Sequence, residues 1–202
     1  IGSVHVPLSA SVMSRVTDRH GAECAIEVCD AATDRVLGRM SEAIDVQPRD
    51  LWLWRGDPRR ERGLASLAEA LLASFVRPNH PEVAAIAREA ADLLGEATGD
   101  PSFAAFQLDD VEEAARRADQ TVEAVYGALK RRRIAYSEPP PGWDYTTEGQ
   151  RIRDHGDVAR GGLGTCMDTT VLAAAVLEHV GLLPVLVLVP GHIFVGYWRR
   201  DP

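Results

Sequence analysis

A chain of 202 residues, 46% hydrophobic and 26% charged, has enough apolar side chains to bury a core, which excludes an intrinsically disordered segment. Its formal net charge of -8 excludes non-specific phosphate-backbone binding as its main business, so no direct nucleic-acid partner is expected. No apolar run approaches the roughly 18 residues that a helical membrane span requires, so no membrane partner is expected either.

Residues 1–56 read as a β-rich segment, a fragment of a sandwich. "VHVPL" contains a proline and suits an edge strand. In "GAECAIEVCD", Ala22, Cys24, Ile26 and Val28 alternate against Glu23 and Glu27, the period of a half-buried strand. "RVLGRM" and "DLWLW" follow as further strands. Three cysteines, an odd number, do not suggest a disulfide framework, and Cys24 and Cys29 should point to opposite faces of their strand. No CxxC or HxxxH spacing offers a metal site. No signal peptide is visible, and the first residue, Ile1, leaves room for an upstream segment. The expected compartment is a reducing cytoplasm.

Residues 57–118 read as a helical region. "GLASLAEALLASF" sets Leu64, Leu67, Leu71 and Phe75 on one stripe, and "RPNHP" breaks the chain before "EVAAIAREAADLLGEA". A third helix, from about Asp109 to Arg132, carries Val111, Ala115, Ala118, Val122, Val125 and Leu129 as its core face. The basic cluster Lys130 to Arg133 closes that helix, where cations offset the negative end of the dipole. Residues 137–162 show no period and read as a long loop. Trp143, Tyr145 and Gln150 within it either line a cleft or pin the loop to the core.

"GGLGTCMDTT", residues 161–170, is the stretch that carries chemistry. Thr165 suits an N-cap, and Asp168 completes a variant capping box with Asp in place of Glu or Gln. Cys166 then takes the first helical position, where unpaired amides and the helix dipole favour an anion such as a thiolate. The glycines before it leave a substrate backbone room to approach. The helix runs through Leu172, Val176 and His179 to Gly181, a natural residue to end on. "LLPVLVLV" reads as a central strand, Pro190-Gly191 as a type II turn, and "HIFVGYW" as an alternating strand opened by His192. A helix-start cysteine and a strand-start histidine are the parts of a thiol nucleophile and its base. The plain alternatives are a buried structural thiol and a turn histidine bonded to backbone.

"GTCMDTTVLAAAVLEHVGLLPVLVLVPGHIFVGYW" resembles the transglutaminase-like branch of the papain-like cysteine peptidase superfamily, with its G-x-C-x-[DE] helix start and its H-[AI]-[FW]-V strand. The closest likeness is to the transglutaminase-like region of large bacterial helicase-related proteins, where "ASFVRPNHPEV" and "IAYSEPPPGWDYTTEGQRIR" have counterparts in the same order. The resemblance covers residues 50–198, most strongly 163–198. It implies an α+β fold whose core, residues 119–202, packs a cysteine-bearing helix on an antiparallel sheet, with its last part lying beyond Pro202. It makes Cys166 the nucleophile and His192 the general base, and offers Gln150 and Trp143 for substrate or oxyanion contact. The family's third residue sits on a strand after the histidine. Asp201, at the far end of the histidine's own strand, does not suit that role, so the third residue stays unassigned. The implied function is cofactor-free, cysteine-dependent acyl transfer or hydrolysis at an amide or peptide bond of a protein or peptide substrate. The alternative is an inactive interaction module of a larger helicase- or nuclease-linked chain.

Overall fold

The computed structural model describes residues 9–53, 70–138 and 149–201. The chain divides into two compact units, residues 1–51 and 52–202. The segment "VHVPL" lies outside the described residues.

In the first unit a short helix, α1 (Ala10–Met13), precedes an antiparallel ribbon of β1 (His20–Cys29) and β2 (Val36–Val46). Asp30 shapes the connection by accepting the backbone N–H groups of Ala32 and Thr33. Register sets Ala22 against Ile44 and Ile26 against Met40, so the alternating side chains do gather on one face. That face is not half-buried as the alternation implied, for Ile26 is 45% and Met40 61% exposed. Period two fixes which residues share a side and says nothing about what lies on that side. Cys24 is half-buried, Cys29 exposed, and both thiols are free.

The second unit is held by helices. After β3 (Leu51–Leu53) and a helical turn at 70–73, α2 (Pro81–Thr98) begins with proline at its first position, where its fixed φ is already helical. It ends at Gly99, whose φ of 81° is left-handed. α3 (Val111–Arg131) starts on Asp110, whose carboxylate accepts the Glu113 N–H. The Arg117 guanidinium donates to the Asp100 and Ser102 carbonyls in the connection between them. Small residues let these helices approach closely. Ala87, Ala90, Ala118 and Ala128 are buried together, and a Cβ added at Gly127 would lie 3.1 Å from Leu93 Cδ1. Two expected core positions face solvent instead, Leu71 and Val111. The inward stripe of the 70–76 segment is Leu72, Phe75 and Val76, spaced three and four apart as a helix face requires. Leu64 and Leu67 lie outside the described residues.

The described part of 137–162 is more ordered than the lack of period suggested. Following β4 (Ala135–Tyr136), it holds β5 (Gly149–Arg151), which pairs with β3, and the helix α4 (His155–Gly161). Three- and seven-residue elements are too short to show a repeat. β6 (Leu163–Gly164) then pairs in parallel with β4. α5 (Cys166–His179) is buried along most of its length, and Gly181, at φ 83°, turns the chain out of it. β7 (Pro184–Val189) and β8 (His192–Tyr197) form an antiparallel pair against α5, joined through Gly191 at φ 77°. β7 is not the buried central strand its apolar run implied. Among the described residues it pairs with β8 alone, and Val185, Leu188 and Val189 are exposed. The Tyr197 hydroxyl donates to Asp119 at 2.9 Å, and Arg199 pairs with the same carboxylate, tying the end of β8 to α3. Helices and small sheets are thus mixed in the α+β manner.

Candidate functional site

The start of α5 is built as a closed hydrogen-bond set. Thr165 Oγ1 accepts the Asp168 N–H at 3.2 Å, and Asp168 Oδ2 accepts the Thr165 N–H at 2.9 Å, a complete capping box. Cys166 is therefore the first helical residue, and it is half-buried. Asp168 is fully buried. Its carboxylate also takes the Arg153 N–H at 2.7 Å and the Arg153 guanidinium at 2.6 Å. Gln150 Nε2 donates to Thr165 Oγ1 at 3.2 Å. Two residues of the 149–153 segment thus grip the helix start, one through the residue before Cys166 and one through the residue two after it.

The glycines ahead of the cysteine are occupied with structure. Gly161 is the last residue of α4, and Gly162 ends that helix in the left-handed region at φ 65°. Gly164 is buried, and a Cβ there would meet Val158 Cγ1 at 3.2 Å, Thr169 Cγ2 at 3.3 Å and Asp168 Cβ at 3.4 Å. They serve chain reversal and close packing, a different use from the open approach expected of them. Gly164→Ala is accordingly expected to destabilise the chain by about 1–2 kcal/mol through overpacking, more than Gly161→Ala, whose Cβ meets nothing within 4 Å among the described residues. Urea midpoints of the two variants check this order.

His192 opens β8 opposite Val189 and is exposed. Thr170, one helical turn beyond Cys166, donates its hydroxyl to the Ile193 carbonyl at 3.2 Å, so the strand start lies by the first turns of α5. Cys166 packs against a cluster that includes Trp52, Leu72, Met167, Val171 and Ile193. Ile193 faces this cluster, while His192 and Phe194 alternate to the exposed side of the strand. Trp143 and Tyr145 lie outside the described residues. Asp201 is exposed and lies beyond the end of β8.

Sequence patterning missed Arg153 and a group of histidines. Arg153 lies fifteen positions before its partner Asp168, in a stretch without period. The "DHG" that follows does carry a readable signal, an Asp before a helix, and Asp154 indeed accepts the Gly156 N–H at 2.8 Å. Burial pushes the Asp154 carboxyl up, but Arg77, the Gly156 amide and His80 outweigh it and bring its pKa to about 2. Beside it His155 is fully buried. Burial, with Arg77 and His80 close by, lowers its pKa to about 4. Among the described residues no cluster of three His, Cys, Asp or Glu side chains could hold a metal ion, and no helix is long and apolar enough to cross a membrane. No family model matches this chain, and neither does any curated protein or solved structure.

Proposed function

We propose that this chain is a transglutaminase-like, cysteine-dependent acyl-transfer or hydrolytic protein, with Cys166 as nucleophile and His192 as its base. The observation that carries this is the Thr170–Ile193 hydrogen bond, which brings the start of β8 to the first turns of α5, the helix that Cys166 opens. The chemistry follows in balanced steps. The imidazole takes the thiol proton, sulfur adds to an amide carbonyl, and the carbonyl oxygen becomes an oxyanion. Gln150, which has a second amide hydrogen besides the one directed at Thr165, is the candidate to donate to that oxyanion. Collapse expels the amine with the proton from imidazolium and leaves a thioester. Water then yields an acid, or a second amine yields a new amide. No cofactor enters these steps, and the substrate class is a protein or peptide amide.

A second reading has its own support. His192 shares the exposed face of β7–β8 with Phe194 and Trp198, the last 54% exposed, while the inward neighbour is Ile193. This suits a non-catalytic interaction module of a larger chain. Site-resolved alkylation separates the two. Cys166 is expected to label at least ten-fold faster at neutral pH than Cys24 or Cys29, neither of which starts a helix. His192→Ala should remove most of that advantage. Equal labelling of the three cysteines, unchanged by His192→Ala, would remove the catalytic reading and leave the binding module.

A further inference from the structure

Three of the six histidines close on a single turn, "RPNHP", residues 77–81. His155, the first residue of α4, accepts the Arg77 backbone N–H on Nε2 at 3.3 Å. His179, in the last turn of α5, meets the Pro78 carbonyl through Nδ1 at 2.8 Å. His80, inside the turn, accepts the Glu82 N–H on Nδ1 at 3.1 Å, capping α2, and reaches Asp154 through Nε2 at 3.0 Å. The His80 and His155 rings meet edge to face with centroids 5.6 Å apart.

These partners assign the proton on each ring. His155 accepts on Nε2, so its proton is on Nδ1, a buried atom with no hydrogen-bond partner among the described residues. His80 accepts on Nδ1 and donates from Nε2, while a carbonyl partner makes His179 Nδ1 a donor. A protonated imidazole has no acceptor nitrogen. Charging His155 therefore costs the turn its bond from Arg77, and charging His80 costs α2 its cap. The pocket is also poorly furnished to receive a cation. Among the described residues Arg77, His80 and Asp154 are the charged or titratable groups acting on His155, and Arg77 already engages Asp154 at 2.7 Å. Glu82, behind His80, is engaged by Arg160 and Arg132, and His179 faces the turn from α5. The chain just before this turn, Leu72, Phe75 and Val76, packs on the cluster around Cys166.

We propose that the histidine-closed turn at 77–81 is a proton-sensitive latch. Neutral His155 holds it to α4, and acidification releases residues 70–80, so that Leu72, Phe75 and Val76 leave the Cys166 cluster before the helical core unfolds. This holds whether or not Cys166 is a nucleophile. With His155 at about 4 when closed and at 6.5 when released, the opening equilibrium rises about twenty-fold between pH 7 and pH 5.

Hydrogen exchange of the intact chain, corrected for intrinsic pH dependence, tests it. Peptides covering 70–80 and 150–160 should lose about twenty-fold in protection from pH 7 to pH 5, and at both pH values they should open at a lower free energy than α3 peptides, whose amides exchange only on global unfolding. His155→Gln places a non-titrating oxygen near the Nε2 position and should flatten the response of 70–80. Protection of 70–80 no lower than that of α3, or no change in 70–80 of the wild type, overturns the latch without recourse to the variant. A folded His155→Gln chain with the wild-type response also overturns it.

Discussion

Asp168→Ala is expected to lower folding stability by about 3 kcal/mol, the lower end for breaking a buried ion pair. The side chain has no exposure, and its partner Arg153 is 26% exposed. Removing the carboxylate strands three donors at once, the Thr165 amide, the Arg153 amide and the Arg153 guanidinium. Each loses its acceptor in or near the interior, where an unmet donor costs far more than a surface bond returns. Asp168→Asn retains one oxygen acceptor and should lose less. The two variants, compared by urea denaturation, check the order. If Asp168→Ala costs under about 1 kcal/mol, the clamp between the 149–153 segment and α5 is not a stabilising feature. The variant also bears on chemistry, because the same bonds fix the backbone on both sides of Cys166.

Acid should cost the fold a comparable amount, mostly through one residue. His155 has its pKa lowered from 6.5 to about 4, burial being the first cause, with Arg77 and His80 adding to it. The unfolded chain takes up this proton as pH drops below about 6.5, whereas the folded chain resists until about 4. Unfolded molecules therefore bind more protons in that window, and stability falls as pH falls. The contribution is fully present above 6.5 and lost by about 4, roughly 3 kcal/mol in all. Asp154 acts lower, since a carboxylate held at about 2 against 3.8 adds stability above 3.8 that disappears between 3.8 and 2. Denaturation free energies at pH 7, 5.5 and 4 should show the first loss in the wild type. They should show most of it gone in His155→Gln. An identical pH profile in the two proteins would assign acid sensitivity to other groups.

Local chemistry accounts for much of what could be read before any coordinates. Thr165 and Asp168 specify their capping box by type and spacing alone, because each side chain accepts the other's own backbone N–H. The same locality sets Cys166 as the first helical residue, and Gly181 and Gly191 as reversals that need positive φ. The alternation of "HIFVGYW" likewise separates Ile193 from His192 and Phe194 across one strand, and the antiparallel β7–β8 pair follows from a two-residue turn.

What only the tertiary structure decided is what each of these faces meets. The alternation in β1 marked a face but could not supply a layer to cover it, so Ile26 is exposed. The run "LLPVLVLV" is equally apolar in a central strand and in a pair with one open side. Leu72 displaced Leu71 from the core because the period of a short helix leaves its phase free until a neighbour packs against it. Contacts far apart in sequence were wholly illegible. Arg153 finds Asp168 across fifteen positions, and His155 finds Arg77 across seventy-eight. Such pairs are chosen by burial. An interior donor or acceptor must find a partner wherever the folded chain supplies one, and a one-dimensional pattern carries no record of where that is.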